Sequence, residues 1–204
     1  MAMRISYNSP VVLSFTFLST LLLIINQSSS GALTPFITVG GHMDWSSPLS
    51  YLRLFTHVLG HSGWEHLLSN FTFILLIGPI LEEKHGSGKL LLMILVTALV
   101  TGLFNQLFES SLWGASGIVF MMILLSSVVN AKKGTIPLTF ILIATLFLGK
   151  EIVNIFHEDQ VAQSAHIVGG ICGAVFGFMI VQKKSKKKTG EESVAFDSSE
   201  ELDL

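Results

Sequence analysis

The sequence predicts an all-α membrane protein built from six transmembrane helices. Three observations carry that prediction. Half of the 204 residues are hydrophobic and only 13% are charged, about half the charged fraction of an average soluble domain. The mean hydropathy is +0.65. The charges are clustered, which leaves long uncharged runs of the kind a bilayer demands. Six apolar segments can be marked, at Val11–Asn26, Trp64–Leu81, Leu90–Leu107, Ser116–Val129, Ile136–Leu148 and Ala162–Val181.

A spanning helix needs about 20 apolar residues, with a range of roughly 17–25. The first segment follows Arg4 and resembles a signal peptide. It lacks a clear small-x-small cleavage site after it and is read as retained. The second, third and sixth segments have full spanning length. The first and fifth are slightly short but extend into weakly polar flanks. The fourth is too short.

That shortness has a consequence. From Ser116 to Asn130 a helix rises about 21 Å, against a hydrocarbon core about 30 Å thick. If Lys132 and Lys133 hold its far end at the membrane surface, its start lies about 10 Å below the opposite surface. The preceding loop must then dip into the membrane, where irregular backbone is tolerated only against protein or a water-filled cavity.

Orientation follows from lysine and arginine placement. With both termini cytoplasmic, ten of the twelve basic residues fall inside and only Arg53 and Lys150 outside. The even-numbered spans then begin near the outer face. His66 and Asn70 open the second, Ser116 opens the fourth and His166 lies early in the sixth. Polar residues from three distant places therefore converge at similar depth. The segment 1–182 is expected to form the membrane domain.

The outer connection from Gln27 to Gly63, continued by Trp64, carries Trp45, Tyr51, Arg53 and Phe55, an amphipathic mix suited to the interface. Residues 183–204 read as a disordered cytoplasmic tail, basic over Lys183–Lys188 and acidic beyond. The basic run acts as a stop-transfer anchor, with anionic lipid as its other natural partner. Cys172 is the single cysteine and reads as a small packing residue.

Polar groups within a bilayer are costly and tend to face a functional cavity. A hydroxyl and an imidazole are the minimal pair for a nucleophile and its base. Ser116 sits in Gly114-Ala115-Ser116-Gly117, where glycines leave room for a substrate backbone and a helix start presents amide N–H groups. The motif is not a hydrolase-type nucleophile elbow, because Ile118 stands where the second glycine of G-x-S-x-G would be. His166 is followed by Gly169, Gly173 and Gly177 at fourfold spacing, a small-x-x-x-small face that lets helices approach closely. Placed against Gly117, that face brings His166 to Ser116. His66 and Asn70, spaced i and i+4, share one helix face and suit an oxyanion hole. Gly114, Ala115, Gly117 and Phe120 are expected to wall the substrate cavity. His57, His61 and His66 lie close in sequence, but no cysteine or well-spaced acid completes a metal site. Glu158 and Asp159 lie in the loop before the sixth span, and no carboxylate lies in the apolar run near His166. A serine–histidine dyad is expected rather than a triad.

Taken together, these residues make the chain resemble the rhomboid intramembrane serine proteases in their six-span bacterial form, over about Leu49–Val181. The resemblance rests on Arg53-Leu54-Phe55-Thr56-His57, His66-Leu67-Leu68-Ser69-Asn70, Glu82–Lys89, Gly114-Ala115-Ser116-Gly117, and Ala165-His166 with Gly169 and Gly173. It implies a Ser116 nucleophile, a His166 general base, and an oxyanion site from His66, Asn70 and the Ser116 amide. It also implies a structural role for Arg53. Leu52 stands where the family usually has tryptophan, and Phe120 where tyrosine often stacks on the histidine. The implied partners are transmembrane protein substrates and the lipid bilayer, with no cofactor and no nucleic acid. The implied location is a bacterial cell membrane. A non-catalytic membrane adaptor and a small transporter are the rival classes, the latter disfavoured because no inverted repeat is evident.

Overall fold

The computed structural model describes residues 5–40, 42–108, 110–128, 135–154 and 163–181. Its described residues form seven α-helices: α1 (Pro10–Ser28), α2 (Pro48–Thr56), α3 (Trp64–His85), α4 (Ser87–Phe104), α5 (Ser116–Val128), α6 (Leu138–Asn154) and α7 (Gln163–Val181). Four are long and apolar enough to cross a membrane: α1, α3, α4 with the turn that extends it to Leu107, and α7. Helix α5 has 13 residues and α6 has 17. Lys132, Lys133, Glu158, Asp159 and the tail at 183–204 lie outside the described residues.

Helix α5 is the axis of the bundle. Every residue from Gly117 to Leu125, and Val128, is buried, as expected of a helix that is apolar all round. Helices α3, α4 and α6 pack around it, and α7 closes onto it through its glycines. The outer helices are buried on one side only. On α7, Gly169, Gly173 and Gly177 point at α5, while Ile171, Val175 and Met179 are exposed. Residues two apart on a helix differ by about 200°, so the glycine face meets protein and the branched face is left for lipid.

The end of the bundle remote from Ser116 is tied by a buried carboxylate. Glu82, only 4% exposed, accepts the Val11 and Val12 N–H groups at the start of α1, both at 3.0 Å. It also accepts the Ser87 hydroxyl at 2.7 Å. Pro10 opens α1, and the first helical N–H groups have no acceptor within their own helix. Glu82 supplies that acceptor from 70 residues away and joins α1, α3 and α4 at one point.

At the other end, the connection from α1 to α3 is anchored rather than loose. Leu54 of α2 sits on Gly102 of α4, where an added Cβ would come within 3.2 Å of the Leu54 backbone. The Arg53 Nε–H donates to the Pro35 carbonyl, and the Thr56 hydroxyl donates to that of Phe36. Val39 and Leu112 exchange both backbone hydrogen bonds, at 3.0 and 2.8 Å. Trp45, Tyr51, Leu52 and Phe55 remain exposed on this amphipathic platform. Tyr51 donates to the Trp45 carbonyl at 2.9 Å.

Candidate functional site

Ser116 is the first residue of α5, so its amide is among those without an intrahelical acceptor. The loop that delivers it is held from two sides. Leu112 pairs with Val39, and two residues later the Gly114 N–H donates to the His57 carbonyl at 2.9 Å. Gly114 has φ of +122°, a backbone conformation that favours glycine. Its Cα also abuts His66, whose imidazole would lie 2.7 Å from an added Cβ.

His57 supports this loop from behind. It is 1% exposed. Its Nδ1 lies 3.1 Å from the Arg53 carbonyl and its Nε2 lies 3.3 Å from Thr101 Oγ1. A carbonyl can only accept, so Nδ1 carries a proton. Burial pushes the His57 pKa down to about 4. The same cause takes His61 to about 4, with Nδ1 bonded to the Leu59 carbonyl at 3.2 Å. Both imidazoles are therefore neutral in the fold. The unfolded chain, with histidine pKa near 6.5, takes up protons first as pH falls. Their contribution to stability is complete above about pH 6.5 and is lost progressively down to about pH 4. The melting temperature is expected to drop by several degrees between pH 7.5 and pH 4.5, and less in His57→Asn. A flat profile from calorimetry or scanning fluorimetry would contradict this account.

Ser116, His166, His66, Asn70 and Phe120 line one cavity of about 310 Å³, completed by Ser69, Phe73, Leu112, Trp113 and Val119. Phe120 follows Ser116 by four residues and so shares its face of α5. The His166 ring stacks on Phe120, with centroids 4.4 Å apart and planes 6° from parallel. The imidazole is thus held over the Ser116 face by an aromatic contact whose area and geometry are both favourable. The backbones make this possible: an added Cβ on Gly169 would lie 2.1 Å from the Gly117 carbonyl oxygen.

His66 and Asn70 occupy the α3 side of the cavity. Ser62 Oγ lies 3.2 Å from His66 Nδ1; donation by that hydroxyl leaves Nε2 as the protonated nitrogen. The His61 ring stands edge-on to His66 at 5.1 Å. Asn70 is 6% exposed, and its Nδ2 has no acceptor among the described residues. A buried donor left unmade costs about 1–3 kcal/mol. Asn70 itself is among the residues that line the cavity.

Among the residues expected to wall the cavity, Phe120 lines it and Gly114 lies against His66. Ala115 instead belongs to the apolar core. Gly117 faces Thr101 and the Ala165 carbonyl. Both positions are tightly packed. Several contributors carried no sequence signal of their own. Glu82 and His57 sit in the motifs quoted above, but their buried partners lie 44 to 71 residues away. The Val39–Leu112 pair is a single bridge between irregular segments, too short to leave a periodicity.

Apolar helices of spanning length around a cavity that gathers a serine, an asparagine and two histidines define an integral membrane protein. The sequence profile of the Rhomboid domain matches residues 48–183, more than half of the chain. The chain belongs to the rhomboid family. It is 25% identical over 143 residues to the Rhomboid protease GlpG of Haemophilus influenzae, covering 68% of this chain and 73% of that protein. It is 27% identical over 167 residues to the Rhomboid protease GlpG of Salmonella newport, covering 79% of this chain and 60% of that protein. The Salmonella heidelberg protein of the same name gives the same figures.

Proposed function

We propose that the chain is an intramembrane serine endopeptidase that cuts transmembrane segments of other membrane proteins by a Ser116–His166 dyad. The observation that carries this reading is the His166 ring stacked on Phe120, one turn from Ser116 on the same face of α5. In the proposed topology, six helices span a bacterial cell membrane with residues 1–182 as the membrane domain and both termini cytoplasmic. The cavity then opens toward the outer side, which admits water.

The chemistry follows from the residues. His166 accepts the Ser116 hydroxyl proton as Oγ attacks the scissile carbonyl carbon. Charge develops on the carbonyl oxygen, where the Ser116 amide, Asn70 Nδ2 and the His66 ring N–H are donors within the same cavity. The C–N bond breaks, the protonated imidazole returns its proton to the leaving amine, and an acyl-enzyme remains. Water, deprotonated by His166, attacks the ester carbonyl, the C–O bond to Ser116 breaks, and the imidazolium returns the proton to Ser116 Oγ. A helical substrate hides its carbonyls in hydrogen bonds, so it must unwind locally. Helix-weakening residues near the cut therefore help, and a small residue before it suits a site framed by Gly114.

Labelling with a serine-directed fluorophosphonate tests the reading, together with tagged single-span substrates whose cuts are mapped by mass spectrometry. The expected result is one label on Ser116 and cleavage within or beside the span. Absence of both in folded protein would favour the non-catalytic adaptor. Asn70→Ala is expected to lower kcat by about a hundredfold, as removal of one oxyanion donor does elsewhere. Its melting temperature should stay within a few degrees of the parent, because the donor it removes is unsatisfied. Loss of fold in parallel with activity would mark Asn70 as a packing residue.

A further inference from the structure

A second cleft, of about 410 Å³, is lined by Ser62, Gly63, Glu65, His66 and Ser69. His66 and Ser69 also line the Ser116–His166 cavity, so the two spaces are neighbours that share a wall. Glu65 is the one carboxylate among the residues that line either space. It lies in the first turn of α3, is exposed, and makes no ion pair or hydrogen bond among the described residues. The remaining ionisable side chain of this cleft is the His66 imidazole, and the rest of its lining is hydroxyl and glycine. A carboxylate one wall away from the Ser116–His166 cavity will act on a chain that reaches into both spaces.

We propose that Glu65 is a specificity-determining residue that favours substrates with a lysine or arginine within a few positions of the scissile bond and disfavours aspartate or glutamate there. The inference rests on the peptidase reading for its cleavage consequence, but its binding consequence stands separately. The cleft holds roughly a dozen waters' volume, room for a long side chain whose cationic end meets the carboxylate. Because Glu65 is solvated, the attraction is modest and screened. The expected discrimination between a lysine and a glutamate substrate is about three- to tenfold at low salt.

The test uses the full chain in nanodiscs, with Ser116→Ala to separate binding from turnover. Fluorescent single-span peptides carry lysine, glutamine or glutamate at each of four flanking positions on either side of the cut. At one or two adjacent positions, lysine is expected to lower Kd about threefold or more relative to glutamate. The difference should shrink at 0.5 M salt, vanish in Glu65→Gln, persist in Glu65→Asp and reverse in Glu65→Lys. The glutamine peptide should bind all variants alike, which separates charge recognition from loss of a first-turn acid complementing the helix dipole. In the active chain, kcat/KM should follow the same order. Equal affinities across the three peptides in the parent, or a preference that survives Glu65→Gln, would overturn the proposal. Charge-dependent binding without any cleavage would keep it and instead sink the peptidase reading.

Discussion

Ser116→Ala is expected to reduce cleavage of a single-span substrate by at least about 10⁴-fold, with the fold intact. The magnitude follows from what remains after the nucleophile is lost. Oxyanion donors and binding still act, but nothing forms the acyl-enzyme, and removal of a nucleophilic serine in a dyad or triad costs up to about 10⁶ in kcat. His166→Ala should fall to a similar floor, and the double variant should be no worse, because in the proposed dyad the two side chains act as one unit. Ser116 is half-buried at the first position of α5 and its replacement removes one oxygen. The melting temperature should therefore move by no more than a few degrees. Activity in Ser116→Ala above one part in a hundred, measured on a preparation free of other peptidases, would exclude Ser116 as the nucleophile.

How far such a site is legible in sequence depends on what kind of contact builds it. The long helices were legible because a bilayer imposes length and apolarity: the segment marked at Trp64–Leu81 falls within α3, and that at Leu90–Leu107 within α4 and the turn that extends it. Their polar first or last turns, Ser87–Lys89 and Glu82–His85, carry no hydropathy signal, so the segment bounds fell short. For the fifth segment, Pro137 precedes the helix and shifts its start to Leu138, while Lys150 and Glu151 hide its continuation to Asn154. The short α5, with Ser116 as its first residue, was legible too. Rotation about the helix axis was not. Ala115 and Gly117 flank Ser116 in sequence, yet a helix turns about 100° per residue. They therefore point at the core and at α7. Contacts such as Glu82 with Val11 and Val12, or Val39 with Leu112, depend on where loops arrive in space. No local pattern encodes that.

The glycines of α7 offer the second large effect, and they separate packing from chemistry. An added Cβ would lie 2.1 Å from the Gly117 carbonyl oxygen at position 169, and 2.1 Å from the Met121 carbonyl oxygen at position 173. At position 177 it would meet Val128 Cγ2 at 1.8 Å, a side chain rather than backbone. Backbone cannot rotate aside, so Gly169→Ala and Gly173→Ala must push α7 off α5, whereas Val128 can change rotamer. Overpacking of this kind typically costs about 1–3 kcal/mol, so the first two variants should lose several degrees of melting temperature and Gly177→Ala less. Activity should grade differently from stability. Gly169 is three residues from His166 and faces the residue after Ser116, so its displacement falls directly on the nucleophile–base geometry. A misplacement of about 1 Å at reacting atoms can cost a hundredfold in rate. Gly169→Ala is therefore expected to lower kcat about a hundredfold or more. Gly173→Ala, one turn further from the chemistry, should lower it less at comparable loss of stability. Circular dichroism melts and kcat on one substrate resolve the two scales. If kcat in all three variants simply tracked melting temperature, the close approach of α7 to α5 would be a matter of stability alone and not of placing His166.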